Sequence, residues 1–467
     1  MRKAGLIFMF LCACMTSIYG QKVTTKLYAN PHPCDSMKHI CFYLYIIMDV
    51  EQEIIIEDCP RDTFVLDLEQ YFGMQAILHP FFYQEMSLTY GQKGDTTSLP
   101  YDFDGFSLSC VLPSRSCTLR LSYLYTSDYF SRVPHAPSYL WPVGTQSNSW
   151  YFTCPNMKVT YAEITDYDSI YIVSNLSFVR QDNKLILNTS ELKGDEDIIF
   201  IFLEKRFLEK HSFQHETNTI NLFLSKGDLH IPYGDGEYNY WTYPSNRLTN
   251  NLIKRSVAEV KKALKTLNKQ IFPLENMEIN VYETDLSMKF QSGMVMQWGV
   301  SLPVHDDNKA FIVIDSNDIL RSTTFIHELI HTYYNRLLPP EGDSTRHFFG
   351  EAITEYLAKC MKYDNVRLRD SVFNEDIIGH CLSSSEPYKI FIDSIAYNNS
   401  LGEYRYTPFV IHTFAQMMGE NKFLAILSRF FKETKQNNTS FSFKRLEELM
   451  KENGVTDKQW NWFIKRL

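Results

Sequence analysis

Thr323–Leu338 reads T-T-F-I-H-E-L-I-H-T-Y-Y-N-R-L-L. It carries the pattern H-E-x-x-H, with Glu328 between His327 and His331. Residues four apart on a helix share a face, so the two imidazoles can converge on one ion. Imidazole nitrogen suits zinc, and a zinc centre that performs chemistry keeps one position for water. Glu328 would stand beside that water as a general base. Phe325, Leu329, Tyr333 and Leu337 form an apolar stripe flanked by Ile326, Ile330 and Tyr334, the pattern of a buried helix. Histidines on such a helix can also be satisfied by hydrogen bonds alone, so the reading requires a completed ligand set.

Two histidines do not complete a zinc site. A third histidine six residues after His331 is excluded, because that position is Leu337. The favoured third ligand is Glu351 in Gly350-Glu-Ala-Ile-Thr-Glu-Tyr-Leu357, where a helix is expected to open and pack beside the first. Glu355 lies one turn on and is placed to accept a hydrogen bond from a ligand histidine and orient its ring. Ala352, Ile353, Tyr356 and Leu357 make this helix largely buried, which argues against a merely solvated acidic face. His347 is the alternative third ligand.

Outward from this pair of helices, the chain changes character. Residues 21–155 are expected to be all-β, with runs such as Cys41–Met48, Ile54–Ile56 and Leu119–Tyr125 separated by turn-forming clusters. Residues 156–244 continue in the same manner or form a second β-rich domain. From residue 245 to 467 the pattern is an amphipathic helix over Leu248–Leu267, three strand-like runs (Met277–Val281, Met294–Trp298 and Ala310–Ile314), the H-E-x-x-H helix, and then helices. The order predicts an α+β architecture: an N-terminal all-β region followed by a mixed sheet and helical unit.

The bulk composition is that of a globular chain: 467 residues, 44% hydrophobic and 22% charged, with a high 15% of aromatic residues that suits β packing. A net charge of -9 without a basic stripe argues against a nucleic-acid protein. Arg2 and Lys3 precede the apolar run Ala4–Met15, too short to span a bilayer, so residues 1–20 read as a signal peptide. Leu11-Cys12-Ala13-Cys14 permits a second reading, a lipid anchor at Cys14. No later stretch reads as a membrane helix. Either way the chain is expected to be exported: periplasmic, at the cell surface or secreted. Cys34, Cys41, Cys59, Cys110, Cys117, Cys154, Cys360 and Cys381 then remain, an even number that fits disulfides, mostly in the N-terminal part.

From about Phe272 to Phe431 the chain resembles the catalytic domain of aminopeptidase N-like zinc metallopeptidases, gluzincins with a thermolysin-like fold. Four segments carry the resemblance in the family's order: Phe272-Pro-Leu-Glu-Asn-Met-Glu-Ile-Asn-Val281; Gly293-Met-Val-Met-Gln-Trp-Gly299, where the family has Gly-Ala-Met-Glu-Asn-Trp-Gly; His327-Glu-Leu-Ile-His331 with Glu351; and Tyr404 ahead of Gly419-Glu-Asn-Lys-Phe423. The resemblance implies one zinc ion per chain, held by His327, His331 and Glu351, with Glu328 as general base. It implies that Tyr404, or alternatively Tyr406, helps bind the developing oxyanion. It further implies that Gly293, Met296 and Trp298 belong to an edge strand against which an extended peptide lies.

Three departures shape the expectation. The stretch between His331 and Glu351 is one residue longer than is usual in the family. Met296 stands where the family has the acid that holds a substrate's free α-amine, and a thioether cannot anchor an ammonium. Tyr406-Thr407 replaces the family's Lys-Gly. The chain also ends soon after these segments, so the family's large C-terminal helical domain is not expected. The sequence thus points to an exported zinc metallopeptidase, with endopeptidase action open. The alternative is a non-catalytic zinc-containing binding or assembly protein that retains the fold, and zinc hydrolysis of a non-peptide substrate is a third reading.

Overall fold

A computed structural model describes residues 22–31, 46–60, 62–67, 83–92, 95–105, 107–127, 150–192, 198, 200–205, 208–226, 248–284, 288–289, 295–296, 299–302, 308–315, 318–321, 323–340, 343–363, 365–381 and 402–467. The expected signal peptide, Cys12, Cys14, Cys34, Cys41, Gly293 and Trp298 lie outside them. The chain divides into two compact units: residues 1–207, 228–245 and 304–307 form one, and residues 208–227, 246–303 and 308–467 the other. The architecture is α+β, with a β-sheet region first and a helical part last.

In the first unit, the described strands of the main sheet number eight. They run in the spatial order Phe178–Gln181, Lys184–Leu187, Lys158–Thr165, Lys22–Pro31, Ile46–Glu57, Cys117–Ser127, Tyr83–Gln92 and Asp95–Ser98. Thr63–Asp67, Ser107–Val111 and Tyr101–Phe103 form a second sheet. Strict alternation explains the burial: along Lys22–Pro31 the side chains of Val23, Thr25, Leu27 and Ala29 face inward and their neighbours outward. Lys158–Thr165 pairs in parallel with Lys22–Pro31, so Lys158–Thr165, Phe178–Gln181 and Lys184–Leu187 continue this sheet, while Ile170–Ser174 and Phe200–Glu204 pair with each other. Trp150 anchors the core, donating from Nε1 to the Ile198 carbonyl at 2.8 Å, while Tyr123 Oη donates to the Trp150 carbonyl at 2.7 Å. Cys110, Cys117, Cys154 and Cys360 are thiols. Burial pushes Cys110 up to about 11 and Cys154 to about 12, values at which the nucleophilic thiolate is scarce.

The second unit is built on a five-stranded sheet in the order Leu208–His215, Asn218–Ser225, Glu278–Thr284, Lys309–Asp315 and Gly299–Leu302. The hairpin Leu208–Ser225 therefore belongs here, although it precedes the change of character at residue 245. Its second strand pairs in parallel with Glu278–Thr284, a long-range partnership that alternation alone does not encode. The helix Asn250–Gln270 starts at the N-cap Thr249, whose Oγ1 accepts from Leu252 N at 3.2 Å. It buries Val260, Ala263, Leu264 and Leu267. Gly419, at φ 91°, separates helix Thr407–Met418 from helix Glu420–Gln436 with a turn that side chains resist. Aromatic rings fill the space between the helices; Tyr334 stacks on Phe431 with centroids 5.4 Å apart. Among the described residues no helix is long and apolar enough to cross a membrane.

Candidate metal centre and active site

The H-E-x-x-H helix spans Thr324–Tyr334 and ends in a tighter turn over Asn335–Leu337, just before Pro339 and Pro340. Its apolar residues Phe325, Leu329, Ile330, Tyr333 and Tyr334 are buried, and so are His327, Glu328 and His331. Tyr333 Oη donates to Asn268 Oδ1 at 2.6 Å, which ties this helix to Asn250–Gln270. The partner segment differs from expectation. Glu351 sits in a wide π turn, Phe348–Ala352, and the regular helix follows at Ile353–Lys362. A π turn holds an extra residue relative to an α turn. From this turn the Glu351 carboxylate reaches both histidines. Tyr334 Oη and Thr354 Oγ1 share a hydrogen bond, and Thr354 also donates to the Gly350 carbonyl, locking this turn to the H-E-x-x-H helix.

The three ligand atoms form a triangle. His327 Nε2 lies 3.1 Å from His331 Nε2 and 3.2 Å from Glu351 Oε2; His331 Nε2 lies 3.6 Å from Glu351 Oε2. A tetrahedral ion with zinc bond lengths places its ligand atoms roughly 3.3–3.4 Å apart, so the donor set fits zinc in type and in spacing. Among the described residues this is the group of histidine and carboxylate ligand atoms that converges in this way. The opposite ring nitrogens are committed elsewhere. His327 Nδ1 is 2.9 Å from Glu355 Oε2, and His331 Nδ1 is 3.0 Å from Asn335 Oδ1. With Nδ1–H donating to those acceptors, each Nε2 turns its lone pair to the common point.

Acidic groups crowd the two histidines. Burial disfavours a charged His327, yet hydrogen bonds to Glu351 and Glu355 raise it to about 10. Burial likewise opposes ionisation of Glu351, yet bonds from His327 and His331 hold its carboxyl well below the usual range. Glu355 is held at about 2 against burial by the charge of Lys359 and by His327. Burial lifts the Glu328 carboxyl, a shift moderated by the two histidines and by a hydrogen bond from the Ser301 backbone. Glu328, Glu351 and Glu355 thus surround the two histidines with acidic groups, and the ammonium of Lys359 sits on Glu355.

Tyr404 occupies a π turn, Gly402–Tyr406, which leads into helix Thr407–Met418. Its hydroxyl donates to Glu351 Oε2 at 2.8 Å, and its ring lies 5.6 Å from that of His327. Tyr406 packs instead against the helical core. His347 is exposed and stands outside the ligand cluster. Val295–Met296 pairs with Met288–Lys289 in a small ribbon, while the last strand of the main sheet is Gly299–Leu302. Of the expected strand Gly293–Trp298, Val295 and Met296 are the described residues. Two residues of the cluster were not anticipated. Asn335, four residues after His331, was visible in principle by the same helical spacing. Lys359, four residues after Glu355, was visible in the same way.

No protein-family model and no curated protein matches the chain. Solved structures do. An aminopeptidase N family protein from Idiomarina loihiensis is similar over 93% of this chain and 75% of its own, at 11% identity and a TM-score of 0.55. An M1 zinc metallopeptidase from Deinococcus radiodurans matches over 95% of this chain and 93% of its own, at 12% identity and a TM-score of 0.45. A mutant of that enzyme bound to a Tyr-Ser-Ala substrate scores 0.47. At such identities the likeness concerns the fold, which is that of the aminopeptidase N family.

Proposed function

We propose that this chain is an exported, zinc-dependent peptidase. The observation that carries the reading is the triangle of His327 Nε2, His331 Nε2 and Glu351 Oε2, with the buried Glu328 on the same helix. The structures of similar fold, described as zinc metallopeptidases and an aminopeptidase N family protein, support the reaction class. One ion, held by these ligands, would supply Lewis-acid polarisation of a carbonyl and acidify a water toward neutrality. Glu328, buried on the same helix, is the group that would accept the proton. Tyr404 offers its hydroxyl to the developing oxyanion, a contribution of about 3 kcal/mol to the barrier for one such donor. The outer edge of Gly299–Leu302 offers backbone groups to an extended peptide. Met296 in place of an acid favours substrates whose nearest amine is already in a peptide bond, hence internal cleavage. Export rests on the charged and apolar pattern of residues 1–20, with a tether at Cys14 as its variant.

Incubation of residues 21–467 and its Glu328→Gln variant with zinc and a diverse peptide library, read by mass spectrometry, tests the reading. Internal cuts present only with Glu328 establish an endopeptidase. Stepwise loss of N-terminal residues establishes an aminopeptidase that holds the amine by other groups. Identical digests from two zinc-loaded proteins would replace the enzyme by a zinc-containing binding protein.

A further inference from the structure

Lys359 lies one helical turn beyond Glu355 on helix Ile353–Lys362. Its side chain is 7% exposed. Nζ is 3.0 Å from Glu355 Oε1, donates to the Tyr404 carbonyl at 3.3 Å, and stands 5.3 Å from the centroid of the Phe373 ring. The other oxygen of Glu355 takes His327 Nδ1, and the hydroxyl of Tyr404 reaches Glu351 Oε2. The contacts close into a circuit: Lys359 to Glu355, Glu355 to His327, His327 to Glu351, Glu351 to the Tyr404 hydroxyl, and the Tyr404 carbonyl back to Lys359.

We infer that Lys359 is a positioning residue that couples the orientation of the ligand His327 to the placement of Tyr404. The inference rests on the zinc-peptidase reading of the site, and goes beyond it by making one buried ammonium responsible for both halves of the centre. Two arguments support it. Burying an ammonium costs several kcal/mol, and apolar neighbours of the same helix (Tyr356, Leu357, Ala358 and Met361) show that plain packing is achieved here without charge. The contacts of Nζ with Glu355 and with the Tyr404 carbonyl also go to different parts of the site. One holds a carboxylate that orients a ligand ring; the other holds the backbone of a turn that carries a phenol. A helix pin would need neither.

The test compares wild type, Lys359→Met, Tyr404→Phe and the double variant. Zinc affinity is measured by chelator competition, kcat and KM on the peptide cleaved best, and thermal midpoint in parallel. Lys359→Met is expected to weaken zinc binding about 10-fold or more, as loss of groups behind metal ligands commonly does. It should lower kcat by a similar factor with KM within about twofold, and add little to Tyr404→Phe in the double variant. Unchanged zinc affinity, or kcat losses that simply multiply in the double variant, would overturn the inference. If Lys359→Met does not fold, Lys359→Gln retains N–H donors for both partners and should bind zinc more tightly than Glu355→Ala; equal or weaker binding would also overturn it. If Glu328→Gln leaves activity untouched, the peptidase reading fails, and the zinc-affinity comparison still decides the role of Lys359.

Discussion

The two units bury polar groups in opposite ways. In the β unit, the buried polar side chains among the described residues are neutral: Thr25, Gln52, Ser174 and Asn175. Gln52 shows how they are satisfied. Its amide donates to the Phe152 carbonyl at 2.7 Å and accepts from Phe152 N at 3.1 Å, so both bonds go to the backbone of one residue. In the helical unit, Glu283, His327, Glu328, His331, Lys359, Arg369 and His412 are buried as well. Many of their partners are other ionisable groups. Interior charge is costly and persists where it is paired or binds an ion. The contrast locates chemistry in the helical unit before any likeness to other proteins is considered, and it assigns the β unit a packing logic without a candidate site.

The sharpest way to break this contrast is to remove the base. Glu328→Gln keeps the shape of the side chain and should lower kcat by about 10²–10⁴-fold without weakening zinc binding, as steady-state kinetics and metal analysis would show. A loss of bound zinc instead would make Glu328 a structural element of the site. In the β unit, Trp150→Ala removes a fully buried ring together with its hydrogen bond to Ile198. It should cost about 3–5 kcal/mol in denaturant unfolding while leaving the zinc affinity of the folded protein unchanged. A parallel loss of affinity would show that the units are not energetically separate.

Smaller effects refine the comparison. Asn335→Ala withdraws the acceptor from His331 Nδ1 and should weaken zinc by about 10-fold, measured by chelator competition. Zinc itself, at about 100 times its Kd, should stabilise the unit that binds it by about 2.7 kcal/mol, visible as a shift of its thermal transition. The smallest effect concerns pH. Glu53 of the β unit is held below its ordinary value by its hydrogen bond with Lys26, against burial and with help from Arg120. A carboxyl with a lowered folded pKa contributes stability above its unfolded value of 4.5 and loses it as pH falls through the folded value. Glu53→Gln should therefore flatten the acid side of the stability curve below about 4.5. An unchanged acid slope would remove this ion cluster from the account.

The sequence-level reading fared differently in the two units. Alternating aromatic and β-branched runs marked strands in the β unit, because period-two burial is a local property. They did not say which strands share a sheet: Lys158–Thr165 joining Lys22–Pro31, or the hairpin at residues 208–225 joining Glu278–Thr284, depends on partners far along the chain. Cys110, Cys117, Cys154 and Cys360 are thiols, since an even cysteine count says nothing about which sulfurs meet. Of the peptide-facing strand that the resemblance placed at Gly293–Trp298, the described residues Val295–Met296 pair with Met288–Lys289, a partnership no local pattern announces.

What the sequence determined by itself is the part of the site written in helical spacing. His327, Glu328 and His331 share a helix whose geometry is set by bonds four residues long, and Glu355 and Lys359 share a face for the same reason. Only the tertiary structure decided how these pieces meet. The π turn at Phe348–Ala352 brings Glu351 within 3.2 Å of His327, and a second π turn brings the backbone of Tyr404 to Lys359 and its hydroxyl to Glu351. Periodicity fixes which face of an element is buried. The choice of what that face touches is made by packing across the whole unit, and the ion site exists only at that level.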